Sequence, residues 1–269
     1  MSLPKLRRLK LASAGAVLTI VFDDPSTQNA LSAETIAELT EVLEFAREDL
    51  RYRALVLRGS KKVFCAGANL KSDVMTAPGD DRVPADGVLV LSKNSAVIYN
   101  ALNAHPAVVI AVVEGPAYGG GFGVTCCADI VICGPGARFS LSETTLGLVP
   151  AQIAPAVVGR IGLRAARRLA LTGARFGAAD AKTLGLADYV AADDQAVEAC
   201  LREVLASVDR CAPQANAATK ALLAKVGEMA RDEFIDYAAR IFADAVRGEG
   251  AEGILAFREK RPPGWVQSK

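Results

Sequence analysis

The chain has 269 residues, a hydrophobic content of 51% and a formal net charge of +1 at pH 7. This length and apolar content favour one catalytic domain with a helical appendage over two independent domains. The charge excludes a general attraction to nucleic acid or to an anionic membrane, and the longest apolar stretches, at 107–113 and 124–133, are shorter than the roughly 20 residues of a membrane helix.

Strand and helix patterns alternate in the N-terminal part of the chain. Apolar, β-branched runs predict strands over 17–22 and 54–57. Between them, Ser32 is a typical N-cap for a helix over 33–46, whose apolar residues recur on one face. The basic cluster before the first strand lacks the apolar segment of a targeting peptide and is predicted to be solvated. It consists of Lys5, Arg7, Arg8 and Lys10.

The middle of the chain continues this alternation. Apolar runs predict strands over 108–113, 129–133 and 138–141. The segment 74–88 is rich in Gly, Pro and Asp, so a loop or a mobile lid is predicted there. Strands that alternate with helices indicate an α/β core.

Two glycine-centred turns lie about fifty residues apart, at 64–71 (FCAGANLK) and 115–123 (GPAYGGGFG). Each turn follows a predicted strand and leads into a predicted helix, and the first N–H groups of a helix lack intrahelical partners. Glycine also lets the backbone approach a ligand closely. We therefore predict that the N–H groups of Ala68 and Gly120 converge on one carbonyl oxygen, where they would stabilise the charge that forms when a thioester becomes an enolate.

Glu143 is the candidate acid/base, about twenty residues after the second turn. A carboxylate in such a place is also explained by the dipole of a following helix. Its position after the second glycine turn favours proton transfer at a substrate instead. Burial beside a neutral thioester would raise the pKa of Glu143 towards a useful range.

The order and spacing of five motifs resemble the enoyl-CoA hydratase/isomerase (crotonase) family. The match begins at 24–32 (DPSTQNALS), passes through both glycine turns and 142–150 (SETTLGLVP), and ends at 256–262 (AFREKRP). The resemblance implies an α/β spiral of repeated ββα units and C-terminal helices that form a homotrimer, often a hexamer made as a dimer of trimers. It also implies an acyl-CoA thioester substrate, with coenzyme A as part of that substrate and no permanently bound cofactor.

The chain departs from the two-acid pattern of many hydratases in this family. Those enzymes carry a second glutamate two residues after the glycine triplet, where this chain has Gly123. Three activities remain open for a single acid. Glu143 could serve an enoyl-CoA hydratase, a Δ3,Δ2-enoyl-CoA isomerase that moves one proton, or a decarboxylase that relies on the N–H groups to stabilise the enolate.

The segment 148–155 (LVPAQIAP) helps to choose among these activities. It resembles the Pro-Ala-x-Ile-x-Pro signature of hydratases that act on branched glutaconyl-CoA esters, such as methylglutaconyl-CoA and isohexenylglutaconyl-CoA. We therefore place a hydratase first and an isomerase second. A catalytically silent acyl-CoA-binding protein is the third reading, and the presence of Glu143 argues against it.

The resemblance also implies residues that bind the CoA ester. Those expected to border the adenine, the pantetheine and the thioester are Ser26, Gln28, Ala30, Ala66, Asn69 and Leu70. The other members of the predicted set are Tyr118, Ser142, Phe257 and Lys260. Lys260 could meet a phosphate as a point charge, although a solvated lysine explains it equally well. Asn69 replaces a frequent aspartate and could keep a local turn hydrogen bond.

Beyond about residue 190 the sequence becomes Ala-rich and charged, with helix periodicity over 195–208 and 231–247. We therefore divide the chain into a catalytic core, 1–195, and a C-terminal helical region, 196–269.

Histidine and cysteine usage points to no metal site. The six cysteines form no CxxC pair and have no adjacent histidine, so no zinc site is expected. They are predicted to be buried thiols in a cytoplasmic protein. His105 is the single histidine and is interpreted as structural or exposed.

Overall fold

The computed structural model describes residues 2–71 and 87–266. Its centre is a six-stranded sheet in which an antiparallel β1/β2 pair is followed by parallel neighbours. In spatial order its strands are β1 (Leu9–Ala14), β2 (Val17–Phe22), β3 (Ala54–Gly59), β4 (Val108–Val113), β6 (Ile130–Cys133) and β9 (Tyr189–Val190).

A second sheet has three short strands: β5 (Pro116–Tyr118), β7 (Arg138–Ser140) and β8 (Arg175–Gly177). β5 and β7 are parallel, whereas β7 and β8 are antiparallel. Three phenylalanine rings pack beside this sheet with centroids 5.3 to 6.0 Å apart. They are Phe122, Phe139 and Phe176. The bases of the two glycine turns meet here, because Cys65 forms an isolated parallel bridge with Ala117.

Nine α-helices lie in the described residues. The first five, between strands, are α1 (Ala33–Glu48), α2 (Gly87–Asn103), α3 (Gly120–Cys127), α4 (Ala154–Thr172) and α5 (Ala178–Thr183). The last four follow β9 and are α6 (Asp194–Arg210), α7 (Pro213–Ala224), α8 (Arg231–Arg247) and α9 (Glu249–Glu259).

The six-stranded sheet is buried on both faces, because side chains alternate between the two sides of each strand. Leu55 and Leu57 of β3 belong to the larger core, which also contains the buried face of α1. Ala54 and Val56 of the same strand belong to a smaller core with Val197 and other residues of α6. Central parallel strands covered on both faces have continuous apolar sequences, as the strands β3 and β4 do.

Arg53 joins the start of β3 to the end of the described chain. Its side chain is 9% exposed, and its Nη1 donates to Asp209 Oδ1 at 2.9 Å and to the carbonyl of Trp265 at 2.8 Å. Nη2 donates to the carbonyls of Val208, Asp209 and Cys211. A buried charge is tolerated only when it is paired and hydrogen-bonded, and these carbonyls supply the partners.

Most of the predicted strands and helices are observed at their predicted places. The strands 17–22 and 108–113 and the helix 231–247 have the predicted bounds, and the other predicted elements differ by one or two residues at their ends. Ser32 is the N-cap of α1, since its side chain accepts the Thr35 N–H at 3.1 Å. The predicted apolar face of α1 is buried.

The basic cluster is solvated as predicted, since Lys5, Arg7 and Lys10 are exposed and Arg8 is half-buried in an ion pair with Asp24 at 2.9 Å. Two other predictions need correction. Cys211 is exposed and Cys200 is half-buried, while the other four cysteines are buried as predicted. The predicted loop at 74–88 falls mostly outside the described residues, and its last two residues begin α2.

Two further observations concern the whole described chain. None of its helices combines the length and the apolar character that crossing a membrane requires. His105 is fully buried, which fits the structural interpretation. Its Nδ1 accepts the Ala107 N–H at 3.1 Å, and its Nε2 lies 3.2 Å from the carbonyl of Leu43.

Candidate active site

The first glycine turn is held by backbone bonds to the loop that precedes α1. Leu31 N–H donates to the Gly67 carbonyl at 2.7 Å, and Ala66 N–H donates to the Gln28 carbonyl at 3.1 Å. Gly67 has a φ of +93°, a conformation that glycine adopts without steric cost. The turn therefore presents the next residue, Ala68, on the exposed side of this junction.

The second glycine turn leads directly into α3. Gly119 has a φ of +48° and donates its N–H to the Ser140 carbonyl at 3.0 Å. α3 begins at Gly120 without a side-chain cap. The two turns lie against each other, since a Cβ on Gly67 would lie 3.3 Å from the Gly120 nitrogen.

Ala68 and Gly120 line one cavity of about 300 Å³. Within the described part of the chain, neither of their backbone N–H groups donates a hydrogen bond. Free N–H groups at the start of a helix and beside a cavity attract an acceptor of negative charge. The structure thus brings the two predicted donors to one cavity wall.

Glu143 lies on the same wall. It begins a 3-10 helix, Glu143–Leu146, which follows the short sheet, and its Oε1 would lie 3.1 Å from a Cβ on Gly119. Its Oε2 is buried and has no hydrogen-bond partner among the described residues. Burial raises the pKa of the Glu143 carboxyl, while a hydrogen bond from its own backbone N–H opposes this rise.

The rest of the cavity wall comes from α1, α2 and the segment that leads into α4. Its other described residues are Leu31, Ile36, Val88, Leu91, Ser92, Ser95, Tyr99, Leu148, Val149, Pro150, Ala151, Gln152 and Ile153. Glu143 is the one charged side chain in this set. Two polar side chains face each other across the wall, since Gln152 Nε2 donates to Ser92 Oγ at 3.1 Å.

Gly123 has no room for a side chain. A Cβ at this position would lie 2.2 Å from Ile153 Cγ2 and 3.2 Å from Tyr99 Cε1. Contacts below 3 Å between carbon atoms force their neighbours to move. The position at which the two-acid hydratases of the resembled family carry a second glutamate is therefore filled by packing.

Sequence reasoning missed the α2 side of the cavity. Tyr99, Ser92 and Ser95 belong to a helix whose start lies in the predicted loop, and no motif marks them. Gln152 and Ile153 lie in the segment 148–155 that the sequence singled out, without a role for either side chain. For Tyr99, Ser92 and Ser95, the helix periodicity of 87–103 was the one signal available in the sequence.

The residues predicted to border coenzyme A near the first turn belong to the segments 26–30 and 66–70, which the hydrogen bond from Ala66 N–H to the Gln28 carbonyl joins. Ser26 donates from Oγ to Asp24 Oδ1 at 2.5 Å, and Ala30 is buried. Gln28 adopts a left-handed conformation with a φ of +58°. Asn69 Oδ1 accepts the Lys71 N–H at 3.2 Å, which is the local turn bond expected of it. Leu70 is 41% exposed.

The other predicted substrate-binding residues are more dispersed. Tyr118 lies in β5. The guanidinium carbon of Arg175 lies over the Tyr118 ring, 5.7 Å from the ring centroid. The carbonyl of Ser142 caps the turn that follows it by accepting the Thr145 N–H at 3.1 Å. Phe257, which is 84% exposed, and Lys260 lie at the end of α9, and neither lines the cavity.

Comparison with known proteins gives consistent results. A family model described as Enoyl-CoA hydratase/isomerase matches residues 12–268. The solved structure of Pseudomonas aeruginosa AtuE is 45% identical with a TM-score of 0.92, and the match covers 97% of this chain and 100% of that chain. An enoyl-CoA hydratase/isomerase from Marinobacter aquaeolei is 43% identical with a TM-score of 0.90, over 97% of this chain and 99% of that chain. Carnitinyl-CoA dehydratase of Proteus mirabilis is 31% identical over 275 residues, 96% of this chain and 97% of that protein.

Proposed function

Because the chain belongs to the enoyl-CoA hydratase/isomerase family, we propose that it is an enoyl-CoA hydratase that works with a single carboxylate, Glu143. It would add water across the α,β double bond of an acyl-CoA thioester. The observation that carries this proposal is the cavity wall on which Glu143 lies together with the free N–H groups of Ala68 and Gly120.

The two N–H groups supply the electrostatic part of the reaction. The thioester oxygen would accept hydrogen bonds from Ala68 and Gly120, and these bonds strengthen as the oxygen gains the charge of an enolate. Removing one such donor elsewhere lowers turnover by about 10² to 10³. The donors are part of the backbone, so they are fixed in place before the substrate binds.

Glu143 would move the protons. Its free Oε2 takes a proton from water while the water oxygen bonds to the β carbon and the double-bond electrons pass to the thioester oxygen. The same carboxyl then returns the proton to the α carbon. A raised pKa suits both steps, because the group must be ionised to accept the proton and must give it back readily.

The acyl group is proposed to be a branched ester of the glutaconyl type. Support comes from the segment 148–155, six of whose residues form part of the cavity wall. The same wall carries Ser92 and Gln152, whose hydroxyl group and second amide hydrogen are donors that a second carboxyl group on the substrate could use.

The test is the loss of ultraviolet absorbance of the conjugated thioester with crotonyl-CoA and, separately, with 3-methylglutaconyl-CoA. We expect the absorbance to fall with the branched diacid ester. The Glu143→Gln variant is the matched control, since it keeps the shape of the side chain and removes its base. No loss of absorbance with either ester would exclude the hydratase.

An isomerase is the second candidate, because one carboxylate is enough to move a proton between two carbons. The single charged residue of the described cavity wall favours it as much as it favours a one-acid hydratase. A new conjugated product from 3-hexenoyl-CoA, without hydration of either ester, would assign the isomerase. Binding of these esters with no reaction would leave the acyl-CoA-binding reading.

The predicted assembly and coenzyme A contacts belong to the same proposal. A homotrimer or hexamer is supported by large apolar side chains exposed on the C-terminal helices α8 and α9. They are Ile235, Phe242, Val246, Ile254, Leu255 and Phe257. Light scattering of the purified protein would measure the mass of the assembly. The cytoplasmic location and the domain division at residue 195 stay predictions.

A further inference from the structure

Tyr99 is a buried hydroxyl-bearing residue on the cavity wall that the proposed proton transfers do not use. It lies in α2 and is 4% exposed. Within the described residues its hydroxyl makes one hydrogen bond, a long one of 3.4 Å to the carbonyl of Gly120. A phenol that donates its proton there keeps its oxygen lone pairs for another partner.

The ring of Tyr99 occupies part of the space that a side chain at position 123 would need. A Cβ on Gly123 would lie 3.2 Å from Tyr99 Cε1, and a Cβ on Gly120 would lie 2.9 Å from the Tyr99 hydroxyl oxygen. The ring therefore passes Gly123 and ends with its oxygen at Gly120. Gly119, the preceding residue, is in turn close to Glu143.

Addition of water needs two hydrogen-bond acceptors around the attacking oxygen. One acceptor takes a proton, and the second holds the other hydrogen so that a lone pair of the water points at the β carbon. In a two-acid hydratase, two carboxylates can share these tasks. Here Glu143 can supply one acceptor, and packing has removed the place of the second carboxylate.

We propose that the Tyr99 hydroxyl holds the attacking water opposite Glu143, in place of the missing second carboxylate. This inference rests on the proposed hydratase function. One water hydrogen passes to Glu143, the water oxygen bonds to the β carbon, and the second hydrogen, held by the Tyr99 oxygen, remains on the new hydroxyl group. Tyr99 neither gains nor loses a proton.

The surroundings of Tyr99 suit this neutral role. Burial raises its pKa, and the negative charge of Glu143 raises it further, so the hydroxyl keeps its proton at working pH. The other hydroxyls of the wall have partners. Ser92 Oγ accepts from Gln152, and Ser95 Oγ donates to the Ser92 carbonyl at 2.7 Å.

The test is the Tyr99→Phe variant, measured in two reactions. Hydration should lose about 10- to 100-fold in kcat, the order expected for one hydrogen bond made to the reacting water. Exchange of the α protons of 3-methylglutaryl-CoA with deuterated water needs Glu143 and the two N–H groups but no attacking water. It should stay within about twofold of the wild-type rate, because both groups remain in place.

Tyr52→Phe is the matched control. Tyr52 is also buried, and its hydroxyl donates to Ser13 Oγ at 3.0 Å, outside the cavity wall. Both reactions should keep their wild-type rates in this variant. If Tyr99→Phe does not fold, Tyr99→Met, which also fills the space without a hydroxyl, should show the same split between the two reactions.

The outcomes separate this inference from the proposed function. Unchanged hydration in Tyr99→Phe would overturn the role of Tyr99 and leave the hydratase standing. Equal loss in both reactions would also overturn it, because Tyr99 would then act on Glu143 or on the N–H groups. A wild-type protein that exchanges α protons but hydrates no ester would overturn both.

Discussion

Ile153 occupies the space that a side chain on Gly123 would need, with its Cγ2 2.2 Å from the position of a Gly123 Cβ. The contact joins α3 to the segment that leads into α4, and both residues are buried. The lack of a second acid is therefore built into the packing of the cavity wall. Restoring that acid requires more than one substitution.

Gly123→Ala should destabilise the protein by about 1 to 3 kcal/mol, because the added methyl group overpacks the contact with Ile153. Gly123→Glu should gain no hydration of crotonyl-CoA for the same reason. Gly159→Ala is the matched control, since a Cβ there meets nothing within 4 Å and alanine favours a helix. Denaturant unfolding measures both changes, and equal stability of the two alanine variants would contradict the prediction.

Glu143→Gln should lower turnover by about 10² to 10⁴, the usual contribution of a general acid/base, while acyl-CoA affinity stays near the wild-type value. The amide keeps the shape of the side chain but cannot accept a proton. Steady-state kinetics with 3-methylglutaconyl-CoA and a binding titration measure the two effects. Glu48→Gln, at the exposed end of α1, should change neither. Full turnover in Glu143→Gln would remove this residue from the mechanism.

The pH profile of kcat/KM should fall on the acid side at a pH above the ordinary pKa of glutamate, about 4.3. Burial raises the pKa of Glu143, so the ionised base is lost as the pH falls through that raised value. The same profile should be found for Glu48→Gln. An inflection at or below the ordinary value would show that burial does not tune this group.

Gly67→Ala should lower kcat by about 10² to 10³, the cost of losing one N–H donor. Gly67 has a φ of +93°, and a Cβ there would lie 2.8 Å from the Tyr118 carbonyl oxygen, so the turn that presents Ala68 must move. Gly185→Ala is the control, because its φ is +76° and a Cβ there meets nothing within 4 Å. If Gly67→Ala and Gly185→Ala lowered kcat equally, the loss would come from the strain of alanine at a positive φ and not from displacement of the Ala68 N–H.

His105 should make the protein sensitive to acid. Burial lowers the pKa of His105 to about 4, and protonated Nδ1 would face the Ala107 N–H, a second donor. As the pH falls, the unfolded chain binds this proton before the folded chain does, because its histidine has an ordinary pKa of about 6.5. The free energy of unfolding is therefore full above that pH and decreases as the pH falls towards about 4. The loss should be about 3 kcal/mol.

Urea unfolding at a series of pH values measures this loss. Wild type should lose about 3 kcal/mol more than His105→Asn between about pH 7 and pH 4. The two proteins are compared by the slope of the free energy of unfolding against pH. The absolute free energies are not compared, because the substitution also removes buried contacts. Parallel slopes would show that the pKa of His105 is the same in the folded and the unfolded chain, so that burial does not lower it.

The predicted α/β, crotonase-like fold is confirmed, and the elements found from the sequence share a physical reason. β3 and β4 are covered on both faces and therefore read as continuous apolar runs. β1 was missed because four of its six residues are exposed and its sequence overlaps a basic cluster. β5 and β8 have three residues each, too few for any periodicity.

The cavity residues divide in the same way, into those that local sequence motifs mark and those that tertiary packing brings to the cavity. The glycine turns and Glu143 are local motifs, and the sequence placed Ala68, Gly120 and Glu143 together. Tyr99 and Ile153 reach the cavity through the packing of α2 and of the segment before α4 against α3. Such contacts between distant segments leave no pattern in a single sequence. The roles of these residues and of the coenzyme A contacts stay predictions.

The hydrogen bonds of Arg53 have a consequence for folding during synthesis. Arg53 leaves the ribosome 212 residues before Trp265, whose carbonyl is one of its acceptors. Until that segment has been synthesised, closing the sheet around the Arg53 guanidinium would bury the charge with one of its hydrogen-bond acceptors missing. The start of β3 should therefore stay open to chaperones and proteases until the segment that carries Trp265 has been translated.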